Sequence, residues 1–359
     1  MAPPVNIDHL LYRLKAFGAP KVLLLAVLLV IWTDPGLSAD VAEPPFKWIE
    51  FFAGKAEATN QFQVGGFHSA KLDILYMHAQ PGKLNPMDLT SEAGMGTALA
   101  TVLRGDWVEG FLSHFGLKCA SWTTINSGTS SRSPCSAIGN TEYPSVVCAN
   151  LLTSRMILIM MVVVCLNGCI LLEQPSNSFV EYYPRFRELI QLLQASGGPH
   201  AVHRTMWYMF HYNGPTPKRH LAFANSSAIG GLDCGPLVGW KKIKKEREAK
   251  GEAPPQLVQK YHDKQGKLRY KGLPALRSSE HYPADFGKKL VSMFADLIKN
   301  KSGMPRLPSP CPSAEATFAS MSYDDKWHDA SMVEVCFWLR GGKDLQVPPS
   351  FRPLLPHRL

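Results

Sequence analysis

Apolar residues recur along this chain in short unbroken runs divided by polar, glycine-bearing segments, the pattern of buried strands alternating with helices. The run KWIEFFAG, from Lys47 to Gly54, predicts a buried strand that ends in a tight turn, and KAEATNQFQ predicts a helix directly after it. Ser69 to Tyr76 predicts a second strand, Gly94 to Leu103 a helix, and Val108 to Leu117 a third strand that runs into a polar loop. From Tyr143 to Pro175 the chain is strongly apolar, with seventeen uncharged residues between Met156 and Leu172. Asn167-Gly168 divides this stretch into a buried helix and a short strand, CILLE, a division that a single membrane span does not need. PRFRELIQLLQASGG is an amphipathic helix closed by Gly197-Gly198, and AVHRTMWYMFHY and KRHLAFAN are strands joined by NGPTP, which suits antiparallel neighbours. Ser278 to Asn300 ends in a further helix. These elements place one α/β domain over residues 45–300.

The two ends differ from this body. Residues 1–44 carry Arg13, Lys15 and Lys21 ahead of the apolar run Val22 to Trp32, which fits a secretory signal or marginal membrane anchor, with Ser38 and Ala39 as small residues able to accept cleavage. A hydrophobic helix packed on the domain is the other reading of the same run. Pro44 and Pro45 separate it from the first strand, and residues 301–359 read as a Pro-rich tail around one apolar patch, MVEVCFWLR.

Composition adds two points. The net charge of +9 is partly local, because KKIKKEREAK, from Lys241 to Lys250, holds six basic residues; such a run is a solvated helix face or a phosphate-facing patch. The eight cysteines lack C-x-x-C spacing, and Cys148, Cys165, Cys169, Cys234 and Cys336 lie in or beside apolar stretches, so they read as reduced core residues rather than a disulfide framework or zinc site.

The residues with candidate chemistry sit where strands end. Gly54 lets the backbone approach a ligand closely ahead of a helix N-terminus. Asp73 follows it by 19 residues, a spacing at which an acid in a nucleotide-binding fold accepts hydrogen bonds from ribose hydroxyls. Asp88 precedes a helix, as a cap or a ligand-facing acid. Cys119 opens the long loop after the third strand, which also holds Trp122, Asn126 and Arg132, suited to a base-like ring and a phosphate. Glu173 stands at the carboxyl end of an apolar strand, where open α/β sheets bind ligands.

Taken in order, EFFAG, an acid after the second strand, another after the third, a strand followed by Cys and a polar loop, a strand followed by EQP, and Y-N-G-P-x-P-K-R before the last strand resemble the cytosine-5 DNA methyltransferases. The corresponding runs of that family are D-x-F-x-G, P-P-C, E-N-V or E-N-P, and Y-G-x-P-Q-x-R-x-R. The resemblance covers roughly residues 46–226, with a looser echo at EHYPADFG. Glu50 stands for the usual Asp, Leu117-Lys118-Cys119 stands for P-P-C, and Arg219 alone matches the Arg pair.

The resemblance implies a doubly wound, Rossmann-like methyltransferase sheet with a terminal antiparallel hairpin. It implies S-adenosyl-L-methionine as cofactor, lined by Glu50, Phe52, Ala53 and Gly54, with Asp73 at the ribose and Asp88 at the adenine amino group. It implies Cys119 as a thiolate that adds to carbon 6 of a flipped-out cytosine, with Lys118 or Arg219 lowering its pKa. Glu173 would bind the base at nitrogen 3 and Arg219 its carbonyl or the loop, while Trp122, Asn126, Arg132 and Lys218 would meet DNA or RNA. A non-catalytic relative that binds nucleic acid or cofactor, and a membrane-associated protein in which both apolar runs span, remain as alternatives.

Overall fold

The strand-forming runs are short and mostly buried on both faces, which requires helices above and below them. The computed structural model describes residues 5–34, 37, 43–77, 82–251, 256–266, 268–341, 345 and 347–355; Ser38 and Ala39 lie outside them. In chain order the elements are α1 (Ile7–Phe17), α2 (Lys21–Thr33), β1 (Trp48–Phe51), α3 (Glu57–Val64), β2 (Ser69–Leu72), α4 (Glu92–Leu103), β3 (Leu112–Phe115), α5 (Pro144–Cys165) and β4 (Cys169–Pro175). They continue with α6 (Pro184–Gly197), β5 (His203–Tyr208), β6 (Arg219–Ala224), α7 (Trp240–Ala249), β7 (Val258–His262), β8 (Leu268–Gly272), α8 (Ala284–Lys299), α9 (Ala314–Ala319) and α10 (Met332–Arg340).

The main sheet has six strands in the order β2-β1-β3-β4-β6-β5. β2, β1, β3 and β4 run parallel, while β6 lies antiparallel between β4 and β5. All seven residues of β4 are buried, as a central strand covered on both faces must be. Alternation along the strands sends Ile49, Phe51, Phe115, Leu172 and Phe223 into the larger core, shared with α1, α2, α4, α5 and α6. Trp48, Leu112, Leu171, Trp207 and Ala222 face a smaller core closed by Phe62 of α3 and Phe286, Leu290 and Phe294 of α8. The chain is thus α/β, with a mixed six-stranded sheet and a separate two-stranded one, β7-β8. That small hairpin lies in a stretch where no strand is expected from the sequence, because its residues are mostly exposed and carry no apolar run.

The ends are part of this packing. Val22 to Ile31 are at most 9% exposed, and α2 is held between α4 and α10. Its apolarity on all sides is that of a helix covered on all sides, the packed alternative to a targeting segment. Residues 301–359, expected as a tail, supply α9 and α10, whose Phe318, Met332, Val335 and Leu339 complete the larger core. Among the described residues one helix, Pro144–Cys165, is long and apolar enough to cross a membrane; its residues from Thr153 to Cys165 are buried against the sheet and its neighbours. Arg155 lies in that buried half and donates to the carbonyls of Ala330, Leu89 and Ser91, at 2.9, 3.1 and 2.8 Å. All eight cysteines are free; Cys165, Cys169 and Cys336 are buried, whereas Cys148 and Cys234, expected in the core, are exposed.

Candidate functional site

Four parallel strands end side by side, and Gly54, Asp73, Cys119 and Glu173 stand at or just beyond their carboxyl ends. After β1 the backbone turns through Phe52 and Gly54, both at positive φ (59° and 54°). The Gly54 N–H donates to Asp73 Oδ2 at 2.8 Å, and the other Asp73 oxygen accepts from Leu75 N–H at 2.9 Å. Asp73 therefore clamps the glycine turn to the end of β2, while each carboxylate oxygen keeps a lone pair for a further donor. A Cβ on Gly54 would meet no atom within 4 Å, so the turn faces open space. Ala53, next to it, is buried and donates to Leu72 O at 3.2 Å.

Glu50 is fully buried on the face toward α3 and α8. Its Oε2 accepts from Thr59 N–H (2.9 Å) and the Thr59 hydroxyl, so it caps the first turn of α3. This overturns part of the expectation for Glu50: one oxygen is committed to the fold. The other has no hydrogen-bond partner and lies 3.7 Å from Nδ1 of buried His114, whose two ring nitrogens are also unpartnered.

The same sheet face carries Glu173 on β4. Its Oε1 is hydrogen-bonded to His220 Nδ1, and its Oε2 accepts from the Tyr282 hydroxyl at 2.7 Å. Burial pushes the carboxyl up, but His220, Lys218 and Tyr282 outweigh it and bring it down to about 2. Burial and the facing Glu173 carboxylate together drive the Tyr282 phenol well above its ordinary range. Tyr282 lies directly against the end of β3: a Cβ on Gly116 would come 2.9 Å from its hydroxyl.

Cys119 is half-buried and belongs to this cluster electrostatically. Burial raises its thiol, Lys218 lowers it, and Glu173 and Glu280 raise it again, for a net upward shift. The expectation that Lys118 or Arg219 activates Cys119 is overturned. Lys118 points to solvent; Arg219 is exposed at the start of β6, its guanidinium 5.6 Å over the Tyr208 ring. Side chains alternate along a strand, so Arg219 lies on the opposite face from His220, which holds Glu173. Lys218 is the cation of the site.

The loop after Cys119 is likewise a correction. Trp122 is fully buried, edge-on to Tyr183 at 5.1 Å, and Arg132, 2% exposed, stacks over it at 3.6 Å. The Arg132 guanidinium donates to Ser121 Oγ (3.1 Å), the carbonyls of Ala137 and Ile138 (3.1 Å for the latter) and Asn150 Oδ1 (2.9 Å), and burial lowers its pKa to about 10. These two residues brace the loop and are not available to a nucleic acid. Asn126 is exposed but donates back to Ala120 O, holding the segment beyond Cys119. Arg132→Met is expected to lower stability by about 2 kcal/mol, because several buried acceptors lose their donor. Urea unfolding measures this; a variant as stable as the wild type would return Arg132 to a surface role.

Asp88 also turns inward. Its Oδ1 accepts from Thr90 N–H (2.9 Å) and the Thr90 hydroxyl (2.7 Å), and the cap of α4 is Ser91, which accepts from Gly94 N–H at 2.9 Å.

Three residues of the cluster are not legible beforehand. His114 and His220 lie inside strands whose neighbours are apolar, where a histidine reads as a core residue, and Tyr282 reaches the site from the segment before α8. The only prior signal is EHYPADFG, which places Glu280 and Tyr282 ahead of that helix. The assembled crevice thus combines an open glycine turn, a half-buried thiol with one nearby lysine, and an ionised glutamate with buried histidine and tyrosine partners. Comparison of the chain with protein-family models, with curated proteins and with solved structures finds no match to any of them.

Proposed function

We propose that this protein transfers the methyl group of S-adenosyl-L-methionine to a base of DNA or RNA, most directly to cytosine carbon 5, with Cys119 as covalent nucleophile. The observation that carries the reading is convergence: Gly54 clamped by Asp73, Cys119 and Glu173 come from four separate stretches and stand at the carboxyl ends of four neighbouring parallel strands. Placement of β6 antiparallel between β4 and β5 supports the finer reading of the sheet as doubly wound and Rossmann-like, of the methyltransferase kind with its terminal hairpin.

Phe52, Ala53 and Gly54 would hold the cofactor along the open turn, and Asp73 would accept from its ribose hydroxyls through the lone pairs left free. When bound, S-adenosyl-L-methionine supplies an electrophilic methyl group on a sulfonium. Cys119, once deprotonated, adds to carbon 6 of the base, which moves the ring electrons toward nitrogen 3 and makes carbon 5 nucleophilic. Carbon 5 would then take that methyl while the sulfonium sulfur leaves as a neutral thioether, and loss of the carbon 5 proton to a base with expulsion of the Cys119 thiolate would restore the aromatic ring and the enzyme. Glu173, held ionised, is an acceptor only, so it takes an exocyclic N–H of the base. His220 and Tyr282, both bonded to Glu173, would hold its carboxylate in place toward the base.

Titration of the full chain with S-adenosyl-L-methionine in a calorimeter tests the cofactor part. One-site saturable binding is expected, and Gly54→Trp, whose side chain enters the open space over the turn, is expected to abolish it. Absence of binding by the folded wild type overturns the methyltransferase reading. A second reading has its own observation: both Glu173 oxygens are taken by protein donors and the Cys119 thiol is shifted upward, an arrangement that also suits a crevice that binds without turnover. Cofactor binding without any methyl transfer to cytosine-containing DNA or RNA would select it.

A further inference from the structure

The charge of this chain is concentrated in one segment that the crevice does not use. Residues 240–277 hold twelve Lys and Arg against four Asp and Glu, in a chain of net charge +9. In the structure this segment is α7 followed by the β7-β8 hairpin, and its described side chains are largely exposed. The pairs Lys242–Glu246 and Lys244–Glu248, at 3.9 and 3.6 Å on the surface of α7, contribute little and leave those lysines free to exchange partners.

The hairpin adds a second kind of group. Tyr261 and Tyr270 are 46% and 43% exposed, with no core beneath a two-stranded sheet to receive them. Register places Lys260 opposite Tyr270, its ammonium 5.8 Å from that ring, and Tyr261 opposite Arg269. Facing residues share a side of the ribbon, so Lys260 and Tyr270 stand together on one of its sides. Lysines facing phosphates with rings able to stack on bases are the combination that binds a nucleic-acid strand, whereas a merely solubilising surface has no use for the exposed rings.

The segment is rooted at the crevice. Trp240 packs edge-on against Phe210 at 4.8 Å, and Arg247 lies 5.0 Å over the same ring, just beyond the end of β5. At its other end the chain returns through Glu280, which acts on Cys119, to Tyr282, which donates to Glu173. We propose that residues 240–277 are a nucleic-acid-binding arm: lysines of α7 and the hairpin track the phosphates, Tyr261 and Tyr270 stack on bases, and the bound strand is delivered to the Cys119 crevice. The delivery to that crevice rests on the proposed methyl-transfer function; the binding itself does not.

The test uses the full chain and dye-labelled 20-nucleotide single-stranded DNA, RNA and duplex DNA, with anisotropy read over a series of salt concentrations. Binding that weakens steeply with salt is expected. Lys242→Glu/Lys245→Glu/Lys260→Glu/Lys271→Glu, all at exposed positions, is expected to weaken it about 100-fold or more and to flatten the salt slope by roughly 3, at about 0.7 to 0.9 for each phosphate no longer neutralised. Tyr261→Ala/Tyr270→Ala is expected to weaken single-strand binding about 10-fold with the slope unchanged. Unchanged affinity of the lysine variant overturns the proposal. So does a wild type that ignores all three nucleic acids yet sediments with phosphatidylserine-containing vesicles through the same lysines, since the patch then faces a lipid surface. Calorimetry with S-adenosyl-L-methionine on the same variants keeps the two readings apart: nucleic-acid binding without cofactor binding sustains the arm and overturns the methyltransferase, and the reverse result does the opposite.

Discussion

Cys119→Ser is expected to reduce methyl transfer to cytosine-containing DNA or RNA by about 10³-fold or more while leaving cofactor binding intact. A serine hydroxyl has no accessible anion in this pH range and cannot replace the thiolate in the addition to carbon 6. The pH dependence carries a further check. Burial, Glu173 and Glu280 raise the Cys119 thiol, so the thiolate is scarce at neutral pH and wild-type transfer should climb as pH rises. Lys218 is the group that favours the thiolate, and Lys218→Met should move the alkaline limb to higher pH still. Radiolabelled methyl incorporation across a pH series measures both effects. Full activity in Cys119→Ser would exclude the covalent route.

Glu173→Gln is expected to destabilise the folded chain by about 3 kcal/mol at neutral pH, as for other buried, partnered charges. An amide offers one acceptor oxygen where the carboxylate offers two, so either His220 or Tyr282 is left facing an N–H group in the core. The acid dependence follows from the sign of the shift. Glu173 titrates at about 2 in the fold, against an ordinary 4.5, so it contributes stability above about pH 5. That contribution is lost progressively as pH falls toward about 2, because the unfolded chain takes up the proton first. The wild type should therefore lose about 3 kcal/mol between those limits through this group, and Glu173→Gln should show correspondingly less acid sensitivity in urea unfolding. Equal acid sensitivity in both proteins would mean that Glu173 is not held ionised.

The two predictions meet at one physical conflict in the crevice. The arrangement that holds Glu173 ionised places negative charge near Cys119 and works against its thiolate, with Lys218 as the counterweight.

Much of the framework is written locally. Buried strands declare themselves by unbroken apolar runs, so β1, β3 and β4 fall where WIEF, LSHF and CILLEQP stand. Asn167 at positive φ (62°) followed by Gly168 separates α5 from β4 as its composition predicts, and NGPTP yields the β5-β6 hairpin. The Gly54 to Asp73 spacing was legible because both residues sit at strand ends, which neighbouring parallel strands bring together.

What lay beyond the sequence depends on which face a residue occupies and on what covers it. Trp122 and Arg132 have the composition of a ligand-binding loop, yet they are cross-braced in the interior, because a guanidinium that finds backbone carbonyls is satisfied as well as by phosphate. Arg219 and His220 are adjacent in the chain and opposite across the strand, so only the register against β4 decides that the histidine, and not the arginine, partners Glu173. The apolar run of α2 is compatible with a lipid environment or a protein one, and its place between α4 and α10 is set by residues some three hundred positions later. The sequence by itself determined the alternation of strands and helices and the strand ends where chemistry gathers, since these follow from local periodicity and turn residues. Only the tertiary structure decided which charges face each other, because burial and partnership are properties of surfaces brought together from distant parts of the chain.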